Sequence, residues 1–284
     1  MTPTLDAAQF LRAALESVAD QEVEAVEHLV IDGGSSDATR EIARDFGAHV
    51  RLISEPALRQ AAAVNRGIRE ARGDYVLVLN ADDVLYPGAL AALRNAIQAD
   101  PPPDVVYADA AFIDAGGRHI SRYPTQSYDP KGFEAGCFIP HAAALVRREA
   151  LLAVGGVDER LDFAFDFDLW SRLAPNHRFR KVDAEVAGVR MHPAAKTLMH
   201  RGPAYREAIA TFRRHFKYVP YPWVFGYANY LIDRQDQFFA PVGHRRTSVL
   251  LALPLGWVLN FPRVARYTRE WLAARKIGKW LRER

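Results

Sequence analysis

The chain has 284 residues, of which 49% are hydrophobic and 25% are charged, and its formal net charge is +3. This length and composition can build a sizeable core, which excludes an intrinsically disordered chain and favours one large domain with an appendage. The single cysteine, Cys137, excludes an internal disulfide framework and a four-thiolate zinc site, and it favours a reducing compartment.

The positive charge is concentrated near the C-terminus. Residues 245–284 contain ten Lys or Arg and two Asp or Glu, so the rest of the chain is net acidic. A uniformly basic nucleic-acid-binding protein would not show this distribution, whereas a tail that meets an anionic membrane surface would. No leader and no uncharged apolar run of roughly 18 residues is evident. We expect a cytoplasmic protein at the cytoplasmic face of a membrane, with no nucleic-acid partner.

The first 200 residues alternate β-rich runs with helical patterns, which predicts an α/β domain with a Rossmann-like, mostly parallel sheet flanked by helices. The segment TPTLDAAQFLRAALESVADQ is read as a strand end, a loop and a helix with almost no strand before it, so either the native start lies upstream or the sheet lacks most of its first strand. Further strands are predicted at 28–32, 49–55 and 75–80, followed by a hairpin of 104–114 and 118–124. The helices between them are predicted at 38–47, 60–73 and 87–100.

Residues 201–284 are predicted to form a helical, basic extension. The apolar face of its last helix is formed by Val264, Tyr267, Trp271, Ala274 and Leu281. The cations that lie largely off this face are Arg263, Arg266, Arg269, Lys276 and Lys279. This pattern is typical of an interfacial helix, with aromatic rings at the acyl boundary and cations toward lipid phosphate. The alternative is a helix that packs its apolar face on the main domain.

Asp82 and Asp83 follow a buried strand in the segment LVLNADDVLYPGAL. Open α/β sheets bind ligands beyond the carboxyl ends of their strands, and a divalent cation that bridges to phosphate would use both charges. An ordinary cap of the helix that begins near Pro87 would use only one of the two acids. The segment alone leaves both interpretations open.

Two further motifs carry candidate functional side chains. The segment FDFDLW places Asp166 and Asp168 among aromatic residues, before Trp170, which favours a general base; surface acids on an amphipathic helix are the alternative. The segment IDGGSSD places Asp32 at a strand end, and its two glycines let the backbone turn and approach a ligand. Alone, this second motif is a common strand–loop–helix junction.

Taken in order, the motifs resemble those of family 2 glycosyltransferases of the GT-A fold. They are TPTLD, IDGGSSDAT, SEP, VNRGI, RGDYVLVLNADD, IPHAAALVRREAL, GGVDERLDFAFDFDLWSRL and VRMHP, which span roughly residues 1–200. The resemblance implies an inverting hexosyltransferase that requires a nucleotide sugar and Mg²⁺ or Mn²⁺. UDP-sugar is the favoured donor, with dTDP-sugar and GDP-sugar as lesser options. The implied acceptor is a glycan or lipid-linked acceptor in cell-surface polysaccharide or glycolipid synthesis.

The resemblance also implies roles for individual residues. Asp166 matches the catalytic base, Asp83 matches the metal-binding acid, and His192 lies in a later loop that approaches the metal or the pyrophosphate. The residues implied to contact the nucleotide sugar are Pro3, Thr4, Asp32, Asn65 and Asp82, the last one near the ribose. The residues implied to line the acceptor pocket are His141, Asp168 and Trp170.

Three departures from the family pattern affect these expectations. Gly33 follows Asp32 where many relatives have a second acid that contacts the base, and Arg59 occupies a segment that commonly holds an acid and a glycine. A surface role is favoured for Arg59 over a phosphate contact. The third departure is the short first strand. The alternative to a working transferase is a catalytically inactive, membrane-associated nucleotide-sugar-binding or scaffold protein.

Overall fold

The computed structural model describes residues 1–234 and 245–280. Within it the chain divides into two compact units. The first consists of Met1–Phe133 with Cys137–His192, and the second of Glu134–Gly136 with the chain from Pro193 onward. The sequence predicted a boundary after residue 200. The observed division comes earlier because the helices of the second unit already begin at Lys196.

The first unit is built on β-strands that the described residues form between positions 2 and 190. Their bounds are β1 Thr2–Thr4, β2 His28–Asp32, β3 Val50–Ser54, β4 Tyr75–Leu77, β5 Val84–Leu85, β6 Val105–Ile113, β7 His119–Arg122, β8 Ala144–Arg147 and β9 Phe179–Arg190. The predicted hairpin of β6 and β7 is present. The strand predicted at 75–80 stops at Leu77, and the Leu79 amide donates to the carbonyl oxygen of Met1 at 3.0 Å.

The α-helices of the described residues follow the same chain order. Their bounds are α1 Ala8–Ala19, α2 Thr39–Asp45, α3 Gln60–Glu70, α4 Ala89–Ile97, α5 Arg148–Ala153, α6 Phe165–Leu173, α7 Lys196–Met199, α8 Arg201–Phe216, α9 Tyr221–Asp233, α10 Arg245–Leu259 and α11 Val264–Trp280. The predicted helices 38–47, 60–73 and 87–100 are all present, and each is shorter than predicted. Helix α4 begins after Gly88 because that residue has a φ of +75°, which a right-handed helix does not use.

Strands β1, β2 and β3 form a parallel sheet whose carboxyl ends coincide. Thr4 pairs with Asp32, and Asp32 pairs with Ser54. All five residues of β2 are buried, as expected for a parallel strand that is covered on both faces. The ends of these three strands therefore form one edge of the first unit.

The remaining strands form a mixed sheet in the order β4-β8-β6-β9-β5, with β7 paired to β6. Strands β6 and β9 run parallel, whereas β8 is antiparallel to both β4 and β6. The predicted α/β architecture, with parallel strands flanked by helices, is confirmed. Helix α4 packs against this sheet and buries Ala89, Leu93 and Ala96 in its core.

The second unit contains α7–α11. The rings of Tyr267 and Trp271 on α11 are buried, and both donate hydrogen bonds to α10: Tyr267 Oη to the Ala252 carbonyl and Trp271 Nε1 to the Val249 carbonyl, each at 2.8 Å. The prediction that these two rings face lipid is therefore wrong for the described structure. Leu281 lies outside the described residues, as do the side chains of Lys276 and Lys279.

A helix that spans a bilayer needs about 20 consecutive, mostly apolar residues. In residues 1–234 and 245–280, no helix is both long enough and apolar enough to cross a membrane. Helix α10 contains most of the uncharged segment 247–262, but it spans only Arg245–Leu259.

Candidate active site

Asp82 and Asp83 lie in the connection between β4 and β5, in the first unit. The N-cap residue of the next helix, α4, is Gly88, and no side-chain hydrogen bond caps it. Strand β5 separates the acid pair from this helix. The interpretation of the pair as a helix cap is therefore wrong.

The Asp83 side chain is buried against the end of β9. Its Oδ1 accepts a hydrogen bond from the Arg190 amide at 2.9 Å, and its Oδ2 accepts one from Asn80 Nδ2 at 3.1 Å. Burial raises the pKa of Asp83 to about 7, and the neighbouring charge of Asp82 adds to this effect. A bound cation would relieve both the desolvation and the repulsion, so the pair has the electrostatics of a cation site.

Asp82 contacts Arg190, the last residue of β9, and His192, two residues further along the chain. His192 Nε2 lies 3.1 Å from Asp82 Oδ2, and Arg190 Nε donates to the Asp82 backbone carbonyl at 2.7 Å. The ring of Phe10, on α1, lies 4.5 Å from the His192 ring, measured between centroids. Sequence reasoning assigned His192 to the metal beside Asp83, and the structure brings it to the neighbouring acid, Asp82.

Asp32 is fully buried at the carboxyl end of β2, where it organises the following turn. Its carboxylate accepts hydrogen bonds from the hydroxyl of Ser35, from the Ser54 hydroxyl at 2.6 Å, and from the amides of Gly34 and Ser35. Burial opposes its charge, but these hydrogen bonds outweigh burial and lower the pKa of Asp32. Nucleotide-base contact stays a prediction for this residue, because its carboxylate already has several protein donors.

The structure also explains the absence of a second acid after Asp32. A Cβ atom at Gly33 would lie 2.6 Å from the carbonyl oxygen of Leu58, so only glycine fits there. Arg59, one residue further along, forms an ion pair with Asp162. This pairing agrees with a surface role for the arginine.

The carboxyl end of β1 presents Pro3 and Thr4. Both are buried, and within residues 1–234 and 245–280 Thr4 Oγ1 has no hydrogen-bond partner. A buried hydroxyl without a partner is costly, so a ligand or water that completes its hydrogen bonding is expected at this edge. This observation fits the predicted nucleotide contact of Thr4.

Asp166 lies in the first turn of α6, where the helix dipole favours a carboxylate. Its side chain is 24% exposed, and its Oδ2 lies 3.6 Å from His141 Nδ1. Burial opposes the charged form of His141, but the contact with Asp166 and the charges of Asp166, Asp83 and Asp82 outweigh it and raise the pKa of His141. The predicted base, the predicted pocket histidine and the acid pair therefore lie within electrostatic reach of one another.

Asn65 and Asp168 hold the loop that precedes α6. The Asn65 amide donates to the Val157 carbonyl at 2.9 Å and to Glu159 at 2.8 Å, and it accepts from the Val157 amide at 2.8 Å. Asp168 is fully buried and pairs with Arg172 at 2.8 Å. The sequence placed Asn65 on the nucleotide sugar and Asp168 in the acceptor pocket; the structure gives both of them internal partners.

Trp170 is buried close to the His141–Asp166 pair. Together with both of these side chains it lines a largely apolar cavity of about 30 Å³, and its indole N–H has no hydrogen-bond partner among the described residues. Trp170 is only 2% exposed, so little of its ring is accessible to a bound molecule. Direct acceptor contact is thus open to His141 and Asp166, but not to Trp170 in this arrangement.

Two residues of the site were missed by sequence reasoning. Arg190 is 7% exposed and holds the acid-pair loop through the Asp82 carbonyl. Tyr123 lies close to Asp166 and Asp83: burial raises its pKa well above the usual range, and the charges of Cys137 and of these two acids add to the effect. A lone arginine at the end of the apolar strand AEVAGVR was the available signal for Arg190, and no comparable signal marked Tyr123.

Comparison with known proteins identifies the family of this chain. Residues 1–155, more than half of the chain, match the family model described as Glycosyl transferase family 2. The chain belongs to glycosyltransferase family 2. A PGL/p-HBAD biosynthesis glycosyltransferase of Mycobacterium bovis is 40% identical to this glycosyltransferase over 179 residues, which cover 61% of this chain and 68% of that protein.

Other relatives match a smaller share of their own length. The O-antigen biosynthesis protein RfbC of Myxococcus xanthus is 33% identical over 181 residues, which cover 61% of this glycosyltransferase and 14% of RfbC. An uncharacterised glycosyltransferase of Rickettsia prowazekii is 27% identical over 179 residues, which cover 60% of this chain and 56% of that protein. The chain therefore spans less than two thirds of these two relatives.

Solved structures establish the fold of this glycosyltransferase. TarS of S. aureus, residues 1–349 in complex with UDP-GlcNAc, aligns with a TM-score of 0.62 and 15% identity over 93% of this chain and 81% of that one. The mannosyltransferase PcManGT of Pyrobaculum calidifontis, in complex with GDP-Man and Mn²⁺, aligns with a TM-score of 0.54 and 19% identity over 99% of this chain and 78% of that one. The predicted GT-A fold is confirmed.

Proposed function

We propose that this family 2 enzyme is a metal-dependent, inverting glycosyltransferase that moves a sugar from a UDP-sugar to a hydroxyl of a glycan or lipid-linked acceptor. The observation that carries the proposal is the convergence of the acid pair Asp82–Asp83 with Asp166 and His141, whose charges reach one another. Sugar transfer needs both groups: a counter-charge for the leaving diphosphate and a base for the attacking hydroxyl.

The residues of the acid pair fit Mg²⁺ or Mn²⁺. Across the described residues, no group of three or more His, Cys, Asp or Glu side chains could hold a metal ion on its own. Mg²⁺ is commonly bound by one or two carboxylates, with substrate phosphates and water completing its shell, so Asp83 together with Asp82 and the donor diphosphate suits it. Asp83 would hold the ion, with His192 at the edge of the site. Such an ion supplies charge neutralisation at the diphosphate.

Asp166 is the base of the proposed reaction. Its carboxylate is partly exposed at the start of α6, so an acceptor hydroxyl can reach it. The carboxylate takes the hydroxyl proton while the acceptor oxygen forms a bond to the anomeric carbon and the bond to the diphosphate oxygen breaks. A single displacement of this kind inverts the anomeric configuration, and it requires one base rather than the closely spaced acid pair of a retaining hydrolase.

The donor is proposed to lie across the ends of β1 and β2. Two polar groups at this edge are the hydroxyl of Thr4, which lacks a partner in the described part of the chain, and the buried carboxylate of Asp32. Asp82 lies in the neighbouring loop. The two similar structures hold different donors, UDP-GlcNAc in TarS and GDP-Man in PcManGT. A UDP-sugar is favoured because TarS aligns with the higher TM-score, 0.62 against 0.54. The nucleotide base and the sugar are thus open to a direct test with a panel of donors.

The acceptor is proposed to belong to cell-surface polysaccharide or glycolipid synthesis. Two relatives carry names from O-antigen and PGL/p-HBAD biosynthesis, and the basic tail suits an anionic membrane surface. We propose that the enzyme acts at the cytoplasmic face of that membrane.

Thermal denaturation tests donor and metal binding together. With UDP-sugar and Mn²⁺ at a hundredfold excess over Kd, the midpoint of denaturation should rise by about 5 °C. In an Asp83→Ala variant, the same ligands should raise the midpoint by less. A sugar-transfer assay then separates an enzyme from an inactive binding protein, which would show the shift without product. No shift in the wild-type protein, or an equal shift in the variant, would contradict the proposed site.

A further inference from the structure

Helix α10 has an unusual distribution of residue sizes. Its buried side consists of small residues that recur every four positions, Ser248, Ala252 and Gly256. A Cβ atom at Gly256 would overlap the ring of Tyr267, so α10 and α11 approach closely along this side. The large apolar residues of α10 are consequently left on the opposite side.

That opposite side is exposed, and we call it the α10 stripe. It consists of Leu250, Pro254, Trp257, Val258 and the following Phe261. Leu250 is 65% exposed, Val258 is 75% exposed and Phe261 is 82% exposed. At about 1.5 Å per residue the stripe is roughly 16 Å long, and a contiguous apolar patch of this kind marks an interaction site in a folded protein.

The charges around the stripe select its partner. Residues 245–269 contain five arginines and neither Asp nor Glu. Exposed Arg246 precedes the stripe on the same side of α10, and exposed Arg263 follows Phe261. Arg266, one of the five, is paired with Glu134 and Glu270, whereas Arg246 and Arg263 are exposed at the two ends of the stripe. A surface that combines apolar side chains with flanking cations complements a bilayer, whose acyl region meets anionic headgroups.

We propose that the α10 stripe is the surface by which this protein binds an anionic lipid bilayer, with α10 lying parallel to the membrane. Leu250, Val258 and Phe261 enter the acyl boundary, while Arg246 and Arg263 meet lipid phosphates. This inference rests on the proposed membrane association and assigns it to residues other than the aromatic face of α11, which is buried. It is independent of the chemistry at Asp166.

The test compares full-length variants in a vesicle co-sedimentation assay. One set of vesicles contains zwitterionic lipid alone, and the other also contains anionic lipid at about one molecule in three. The variant Leu250→Ser/Val258→Ser/Phe261→Ser replaces three exposed side chains. Because these side chains make few packing contacts, the folded protein should lose little stability. The matched control is Ile120→Ser/Leu152→Ser, which removes exposed apolar side chains of the first unit.

We expect the wild-type protein and the control to bind anionic vesicles, and the stripe variant to bind at least about tenfold more weakly, since burial of one large apolar side chain is worth that much. Thermal midpoints and UDP binding should match among the three proteins. Equal vesicle binding by the stripe variant would overturn the assignment while leaving membrane association intact. No binding by the wild type would overturn both, and a dimer in light scattering that the stripe variant abolishes would identify the stripe as a contact between copies of the chain.

Discussion

His141 Nδ1 lies 3.6 Å from Oδ2 of Asp166, and the two residues come from different parts of the first unit. His141 lies three residues before the start of β8, whereas Asp166 is the second residue of α6. The charge of Asp166 helps to raise the pKa of His141 against the effect of burial. An imidazole in this position can fix the orientation of the carboxylate that receives the acceptor proton, which makes His141 a positioning residue.

The variant His141→Gln should lower kcat by about ten- to a hundredfold, because a misoriented base is a less effective one. The KM for the donor should change little, since His141 lies at the acceptor side. Steady-state kinetics with both substrates varied provides the measurement. A rise in donor KM at constant kcat would assign His141 to nucleotide-sugar binding instead.

Removal of the charge at Asp83 should stabilise the metal-free protein near pH 8. Burial and the charge of Asp82 raise its pKa to about 7, so the ionised carboxylate is unfavourable without a cation. In EDTA, Asp83→Asn should therefore unfold at a higher temperature than the wild type. Added Mn²⁺ should raise the midpoint of the wild type but not that of the variant. An Asp83→Asn protein that responds to Mn²⁺ like the wild type would contradict the metal assignment.

Asp32 should stabilise the fold in a pH-dependent way. Its hydrogen bonds lower its pKa despite burial, so its stabilisation is present above the unfolded value of 3.8 and is lost as the pH falls through the lower folded value. At pH 7, Asp32→Asn should lower the free energy of unfolding by about 2 kcal/mol, as expected for hydrogen bonds to a buried charge.

Urea denaturation of Asp32→Asn and the wild type at several pH values checks this expectation. The difference between the two proteins should shrink below pH 3.8. Ser54→Ala, which removes one of the donors to Asp32, should show a smaller loss with the same trend. A difference that is constant with pH would mean that the hydrogen-bonded charge is not its source.

Asn65 should act on catalysis through the loop before α6. The variant Asn65→Ala leaves the Val157 amide and carbonyl without this partner, at an expected cost of about 2 kcal/mol in stability. The turnover number should fall while UDP affinity remains unchanged. Arg172→Met frees the carbonyl groups of Val154 and Gly156 in the same loop and should also lower turnover without changing UDP affinity. Its loss of stability should be larger, because the buried Asp168 then lacks its ion pair. A large loss of UDP affinity in Asn65→Ala alone would restore the nucleotide contact that the sequence implied.

Local sequence signals predicted the strands and the strand-end loops, but not all partners within the site. Strands β2 and β3 were predictable because apolar runs end at turn residues, and the shared edge of Thr4 and Asp32 follows from parallel pairing. The meeting of His141 with Asp166 depends on how β8 and α6 pack, which no local pattern encodes. Asp166 and Asp168 could not both line one pocket, because residues two apart on a helix point about 200° apart.

The C-terminal helices show a second limit of sequence reasoning. The amphipathic pattern of α11 correctly predicted an apolar face but did not reveal what covers it. The cover is α10, whose small residues Ala252 and Gly256 admit the Tyr267 ring. The repeat of small residues in α10 was the available signal, and it also implies that the large residues of α10 face outward.

Sugar transfer by the wild-type enzyme and by Asp166→Asn tests the central claim most directly. With UDP-sugar, Mn²⁺ and an acceptor identified by mass spectrometry, the wild type should form a product of inverted anomeric configuration. Asp166→Asn should transfer at least about a thousandfold more slowly and bind UDP as tightly as the wild type, because the base acts on the acceptor proton and not on the nucleotide. A variant that transfers at the wild-type rate would contradict the account, and so would a wild-type product of retained configuration.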